Sequence, residues 1–61
     1  MNEKLKAIHD KGWMSVCHFD YLKDGILWTF CSFAKCDYYV RGDAQTYEEA
    51  LGQVLDIINS Y

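Results

Sequence analysis

The sequence predicts an α+β domain with the element order α-β-β-β-α. It is expected to hold a three-stranded antiparallel sheet, a short N-terminal helix and a longer C-terminal one. Three observations lead there. Apolar residues recur at helical spacing near both ends of the chain. The middle is rich in aromatic and β-branched residues in short runs. Asp24-Gly25, the dipeptide that best favours a two-residue hairpin, divides the first two of those runs.

The first helix is read from Asn2 to Gly12. Leu5 and Ile8 lie three apart with Met1 one turn earlier, and Lys4, Lys6, Asp10 and Lys11 fall on other faces. Asn2 suits the N-cap, and Gly12 suits the left-handed residue that ends a helix. Trp13 then stands where it can fold back on the last turn. So short a helix is marginal alone and must dock on something.

Three strands follow. "WMSVCHFD" is the first, and Lys23-Asp24-Gly25 forms the turn. "ILWTFCSFA" reads as the central strand because it is apolar on both faces. Ile26, Trp28 and Phe30 point one way, and Leu27, Cys31 and Phe33 the other. A turn around Ala34-Lys35 leads into "CDYYVR", with Cys36, Tyr38 and Val40 opposed to Asp37, Tyr39 and Arg41.

Gly42-Asp43 are expected to turn the chain off the sheet, and Thr46 with Glu49 spells a T-x-x-E capping box. Tyr47, Ala50, Leu51, Val54, Leu55, Ile58 and Tyr61 form the apolar stripe of the second helix, while Glu48, Gln53 and Asp56 face water. Glu48 and Glu49 suit the positive end of the helix dipole. Gly52 weakens the helix unless a neighbouring backbone needs the space.

Residues 1–61 are read as one small domain, near the lower limit for folding without disulfides, metal or a partner. The net charge of −3 argues against a nucleic-acid-binding face, which draws most of its affinity from basic residues. No apolar run approaches the roughly 18 residues of a membrane span, and no signal peptide is visible. Three cysteines cannot complete a disulfide framework within one chain, so a reducing cytoplasm is the expected setting.

Candidate chemistry is sparse. Cys17, His18, Cys31 and Cys36 are zinc-type ligands, but they form no C-x-x-C knuckle, and Cys17 and His18 point to opposite faces of a strand. Buried free cysteines more often serve as small hydrophobes. No cofactor or metal is expected. His18 shares a face with Asp20 and is the best candidate base, yet no nucleophile motif accompanies it. The expectation is a protein that is not an enzyme.

The aromatic residues carry the functional expectation. Trp13, Phe19, Trp28, Phe30, Phe33, Tyr38 and Tyr39 crowd a sheet that only two helices can cover. If both helices take one face, the other exposes an apolar surface of the kind that marks interfaces. Leu27, Trp28, Phe33, Tyr38, Tyr39 and Arg41 are expected there, with Glu48 at the helix start as an acidic contact. The partners implied are a host or cognate protein and a second copy of the chain. A rival reading has Trp28, Tyr38, Tyr39 and Arg41 lining a dimer cleft that stacks a base and pairs a phosphate.

The element order resembles that of double-stranded RNA-binding domains. Members of that family open their second helix with lysines, whereas Thr46-Tyr47-Glu48-Glu49 stands here and would repel a phosphate backbone. The topology carries over and the function does not. "GDAQTYEEALGQVLDII", following a tyrosine-rich strand, resembles the strand-to-helix unit of HicB-like antitoxins and of small phage α-β-α sandwich proteins. The family's P-D-x-P-G segment is missing, since the chain has no proline, and the leading helix is an addition. The resemblance implies a phage or mobile-element accessory protein that modulates or inhibits a host protein by binding it. No functional residue carries over.

Overall fold

A computed structural model describes residues 2–60. The expectations placed on Met1 and Tyr61 lie outside the described residues. The order is α1 (Glu3–Asp10), β1 (Met14–Lys23), β2 (Ile26–Lys35), β3 (Tyr38–Ala44) and α2 (Tyr47–Asn59), the predicted α-β-β-β-α arrangement. The sheet runs β1-β2-β3, and both pairings are antiparallel.

Local chemistry sets the ends of α1. The Asn2 side-chain oxygen accepts from the backbone N–H groups of Lys4 and Leu5. At the other end the Gly12 N–H donates to the His9 carbonyl and the Trp13 N–H to the Ile8 carbonyl, a Schellman closure. Gly12 supplies the required positive φ of 92°. Trp13 is thereby turned back into the core beside Ile8, as expected.

Asp24 and Gly25, with φ of 54° and 77°, make the first hairpin turn between the paired residues Lys23 and Ile26. The second turn differs from expectation. Ala34 and Lys35 remain in β2, and the loop is Cys36-Asp37 between the paired Lys35 and Tyr38. Cys36 has a φ of 54° there, a conformation that asparagine or glycine takes more readily. Nothing in the Cys36-Asp37 sequence announces that turn.

Residues of β2 and β3 divide cleanly between two faces. Phe33 opposes Val40, Cys31 opposes Gly42 and Thr29 opposes Ala44, and these six are buried. On them lie Ala50, Leu51, Val54 and Ile58 of α2, with Ile8 and Trp13 completing the core. Both helices therefore cover the same face. They also run in the same direction: Asn2 meets Glu48 at one end, and Lys11 and Ile58 share a cleft at the other.

Gly42 does not turn the chain off the sheet. It lies inside β3, which continues to Ala44, and the helix rests directly on it. A Cβ built at Gly42 would stand 2.5 Å from the Ala50 carbonyl oxygen and 3.1 Å from Val54 Cγ2. At Gly52, by contrast, a Cβ meets only Lys4 Nζ, at 3.6 Å, so no neighbouring backbone needs the space there.

The two glycines should answer opposite ways to one extra methyl. Gly42→Ala forces α2 off the sheet and is expected to lose about 1–3 kcal/mol of stability. Gly52→Ala should gain up to about 1 kcal/mol from helix propensity. Urea titration of both variants checks this. Equal midpoints for the pair would mean that α2 does not seat on Gly42.

Candidate interaction surface

Side chains alternate along a strand, so burying Thr29, Cys31 and Phe33 sends their neighbours the other way. The face away from the helices carries Phe19 and Tyr21 from β1, Trp28, Phe30, Ser32 and Ala34 from β2, and Tyr39, Arg41 and Asp43 from β3. Tyr39 is 72% exposed and Phe19 50%, while Trp28 and Phe30 are half-buried by their neighbours alone.

The aromatic cluster is organised by pairing. Phe19 lies directly opposite Phe30, and their rings stack at 5.0 Å with 26° between planes. Tyr21 tilts against Phe19 at 6.1 Å. Its hydroxyl donates to Asp43 at 2.8 Å, reaching from β1 across β2 to β3. That carboxylate, by accepting the bond and by its charge, pushes the Tyr21 phenol above its ordinary pKa. Cys17 and Ser32 bond across the strands at 3.2 Å. These contacts tie the three strands together on the face that no helix covers.

The expected surface residues scatter. Trp28, Tyr39 and Arg41 lie on the open face. Leu27 is exposed but shares the helix side, at the hairpin tip that extends past the helices opposite Leu22. Tyr38 is exposed and also on the helix side, so it does not converge with Trp28, Tyr39 and Arg41 in one protomer. Phe33 is a correction: it is 1% exposed, in the core beneath α2, and belongs to no surface. The reason is its pairing with Val40 on the covered face.

The sequence reading counts Phe19 and Phe30 among the aromatics of the sheet but not among the expected surface residues, and it omits Tyr21 altogether. The signal was present. An Asp-Gly two-residue loop fixes the register of its hairpin, so Tyr21 must oppose Trp28 and Phe19 must oppose Phe30.

Glu48 stands apart, at the start of α2. It accepts from the Asn2 amide and lies 3.4 Å from the Lys4 ammonium. The Asn2 bond, helped by Lys4, holds its carboxyl below the usual glutamate range. Glu48 is thus a clasp between the two helix starts. Beside it, Thr46 accepts from the Glu49 N–H at 3.2 Å and donates to the Glu49 carboxylate at 3.0 Å. The capping box therefore closes through the threonine hydroxyl.

Other candidate chemistry does not assemble. Cys17 lies on the open face, Cys31 in the core and Cys36 in a turn, and all three are free thiols. Among the described residues no three metal-ligating side chains come together. His18 stacks on Tyr47 at 4.0 Å, while Asp20 accepts from Thr29 at 2.8 Å, so each has a different partner. No described helix is long and apolar enough to cross a membrane. Comparison with protein-family models, curated proteins and solved structures gives no match to the chain.

A depressed carboxylate stabilises the fold above its unfolded pKa and loses that contribution as pH falls through the folded value. Glu48→Gln should therefore be less stable than the parent at neutral pH. The gap should close as the medium is acidified below the ordinary glutamate range. Thermal melts across that range check the sign, and a gap that persists in acid would mean Glu48 acts through packing.

Proposed function

We propose that this chain is a non-enzymatic interaction protein that binds another protein through its open sheet face. One observation carries the reading: five aromatic side chains, Phe19, Tyr21, Trp28, Phe30 and Tyr39, share a face that neither helix covers. Aromatic residues of this kind dominate binding energy at protein interfaces. Cross-strand contacts already order several of them, so binding costs little side-chain entropy. Arg41 adds one charged contact, and Asp43 is occupied by Tyr21. A face this nearly neutral suits a protein partner better than nucleic acid, which would need a basic one.

The size of the face sets what a second copy can do. Three strands spaced about 4.8 Å, two of ten residues and one of seven at about 3.3 Å each, span on the order of 14 Å by 23–33 Å. That projects to roughly 300–500 Å² per protomer, below the ~800 Å² of a stable interface. Stacked sheets would form a weak homodimer that a better-fitting partner displaces. The setting is the one the HicB-like and phage resemblance implies, an accessory protein of a phage or mobile element acting on a host protein in the cytoplasm.

Phe19→Glu places a charge on the open face without touching the helix-side core, whereas Leu27→Glu places one on the helix side, at the exposed end of the hairpin. Affinity capture from a bacterial lysate should recover the same partner with the parent and with Leu27→Glu, and lose it with Phe19→Glu. Sedimentation should show concentration-dependent dimer for the first two chains only. Capture that survives Phe19→Glu, or fails equally with Leu27→Glu, would sink the assignment of this face.

A further inference from the structure

β1 is the outermost strand on one side of the sheet. It is ten residues long, yet among the described residues it gives none to the buried core, and every residue but the half-buried Tyr21 is exposed. Met14, Val16, Phe19 and Leu22 are among those left open. The opposite edge is managed differently. There α2 lies on β3, and the Gln53 side chain accepts from the outward Asp43 N–H at 3.1 Å.

The first turn fixes which groups the β1 edge offers. A two-residue loop closes on a hydrogen-bonded pair, here Lys23 and Ile26, and bonding alternates along the strands from there. Cys17, Phe19 and Tyr21 therefore bond to β2, while the N–H and C=O groups of His18, Asp20 and Leu22 point outward. Among the described residues no hydrogen bond reaches those outward groups. The strand has no proline and carries charge only at Asp20 and Lys23. Such an edge is a template for another strand.

The sequence of β1 says which strand fits. Residues paired across two strands share a face, so two β1 strands related by a two-fold axis must have that axis pass through a residue. Pairing along most of the strand leaves His18 or Phe19 for that place. An axis at His18 sets imidazole against imidazole. An axis at Phe19 sets each His18 opposite the Asp20 of the other copy, so a basic group meets an acidic one on both sides of the axis. Cys17 then opposes Tyr21, and Val16 opposes Leu22. The outward main-chain groups of His18 and Asp20 come into register, and the two Phe19 rings meet where paired side chains approach closest.

We propose that two copies of the chain join antiparallel along β1, with Phe19 on the two-fold axis, into one continuous sheet. His18 and Asp20 share the helix side with their partners Cys31 and Thr29, so the helices of both copies come to one side. The core draws on β2 and β3, which keeps the helices back from the joint. The two open aromatic faces merge on the other side, at roughly 600–1,000 Å² together, against the ~800 Å² that one partner gives a stable interface. That gain rests on the proposed role of the open face, whereas the pairing itself does not.

Amide exchange of the full chain, read by NMR from micromolar to millimolar with sedimentation alongside, tests the pairing. The His18 and Asp20 amides should slow about tenfold or more as the dimer forms, while those of Phe19 and Tyr21, bonded to β2, stay slow throughout. Tyr39→Glu charges the open face away from this edge and should leave the dimer intact, whatever it does to capture of another protein. His18→Asp sets carboxylate against carboxylate and should weaken the dimer about tenfold or more, and adding Asp20→Lys should restore it. Should those variants fail to fold, the exchange pattern of the parent and Tyr39→Glu decide. The pairing is overturned if the parent stays monomeric at millimolar, or if a dimer forms with the His18 and Asp20 amides still open. Loss of the dimer in Tyr39→Glu, or no rescue by Asp20→Lys in a folded chain, overturns it as well. Slowing of those amides only on mixing with another protein would give the edge to that protein's strand and overturn self-pairing too.

Discussion

Helix α2 meets the sheet at Gly42 with no side chain between them. The Ala50 carbonyl sits where a Cβ would be, and Val54 closes the other side. A helix brought this near is committed to the face on which Gly42 lies, together with its strand partners Cys31 and Phe33. It also presents its flank to α1, which lines up alongside through Asn2, Lys4 and Glu48. Two helices side by side on a narrow sheet leave none to cover the other face. The exposure of Phe19 and Tyr39 follows from both helices lying on the face that carries Gly42.

The fold was legible because each element is punctuated by residues with one strong local preference. Asn2, Gly12, the Asp24-Gly25 pair and Thr46 with Glu49 all act where their chemistry says they should. Strand faces were legible too, since Leu27, Cys31 and Phe33 do share a side, as do Trp28 and Phe30. The second turn was not, because Cys36-Asp37 lacks the glycine or asparagine that usually marks a positive φ. Gly42 misled for the opposite reason. A glycine beside an aspartate reads as a turn, yet here it serves tertiary packing that no local pattern encodes.

The candidate site was half legible for the same physical reason. A strand's alternation says which residues travel together, but not which set the helices will cover. That choice depends on the small residues Gly42, Ala44 and Ala50, which let α2 sit close, and the sequence reading gave them no such role. Phe33 was therefore assigned to the surface when it is central to the core. Phe19 was counted among the aromatics but not placed on the surface, and Tyr21 was omitted, although the hairpin register sets them opposite Phe30 and Trp28. With no matches among known proteins, the functional reading rests on geometry, and on the open face above all, which is broad, aromatic and nearly neutral.

The three cysteines report on this arrangement because each samples a different environment. Cys17 lies on the open face, Cys36 in the exposed turn, and Cys31 beneath α2, where burial pushes its thiol pKa up. Thiol labelling of the dilute native chain, resolved by residue with mass spectrometry, reads all three at once. The account predicts that Cys17 and Cys36 react at the rates of exposed thiols, and that Cys31 reacts only as fast as the chain unfolds. Slow labelling of Cys17, or labelling of Cys31 alongside the other two, would contradict the claim that both helices share one face of the sheet.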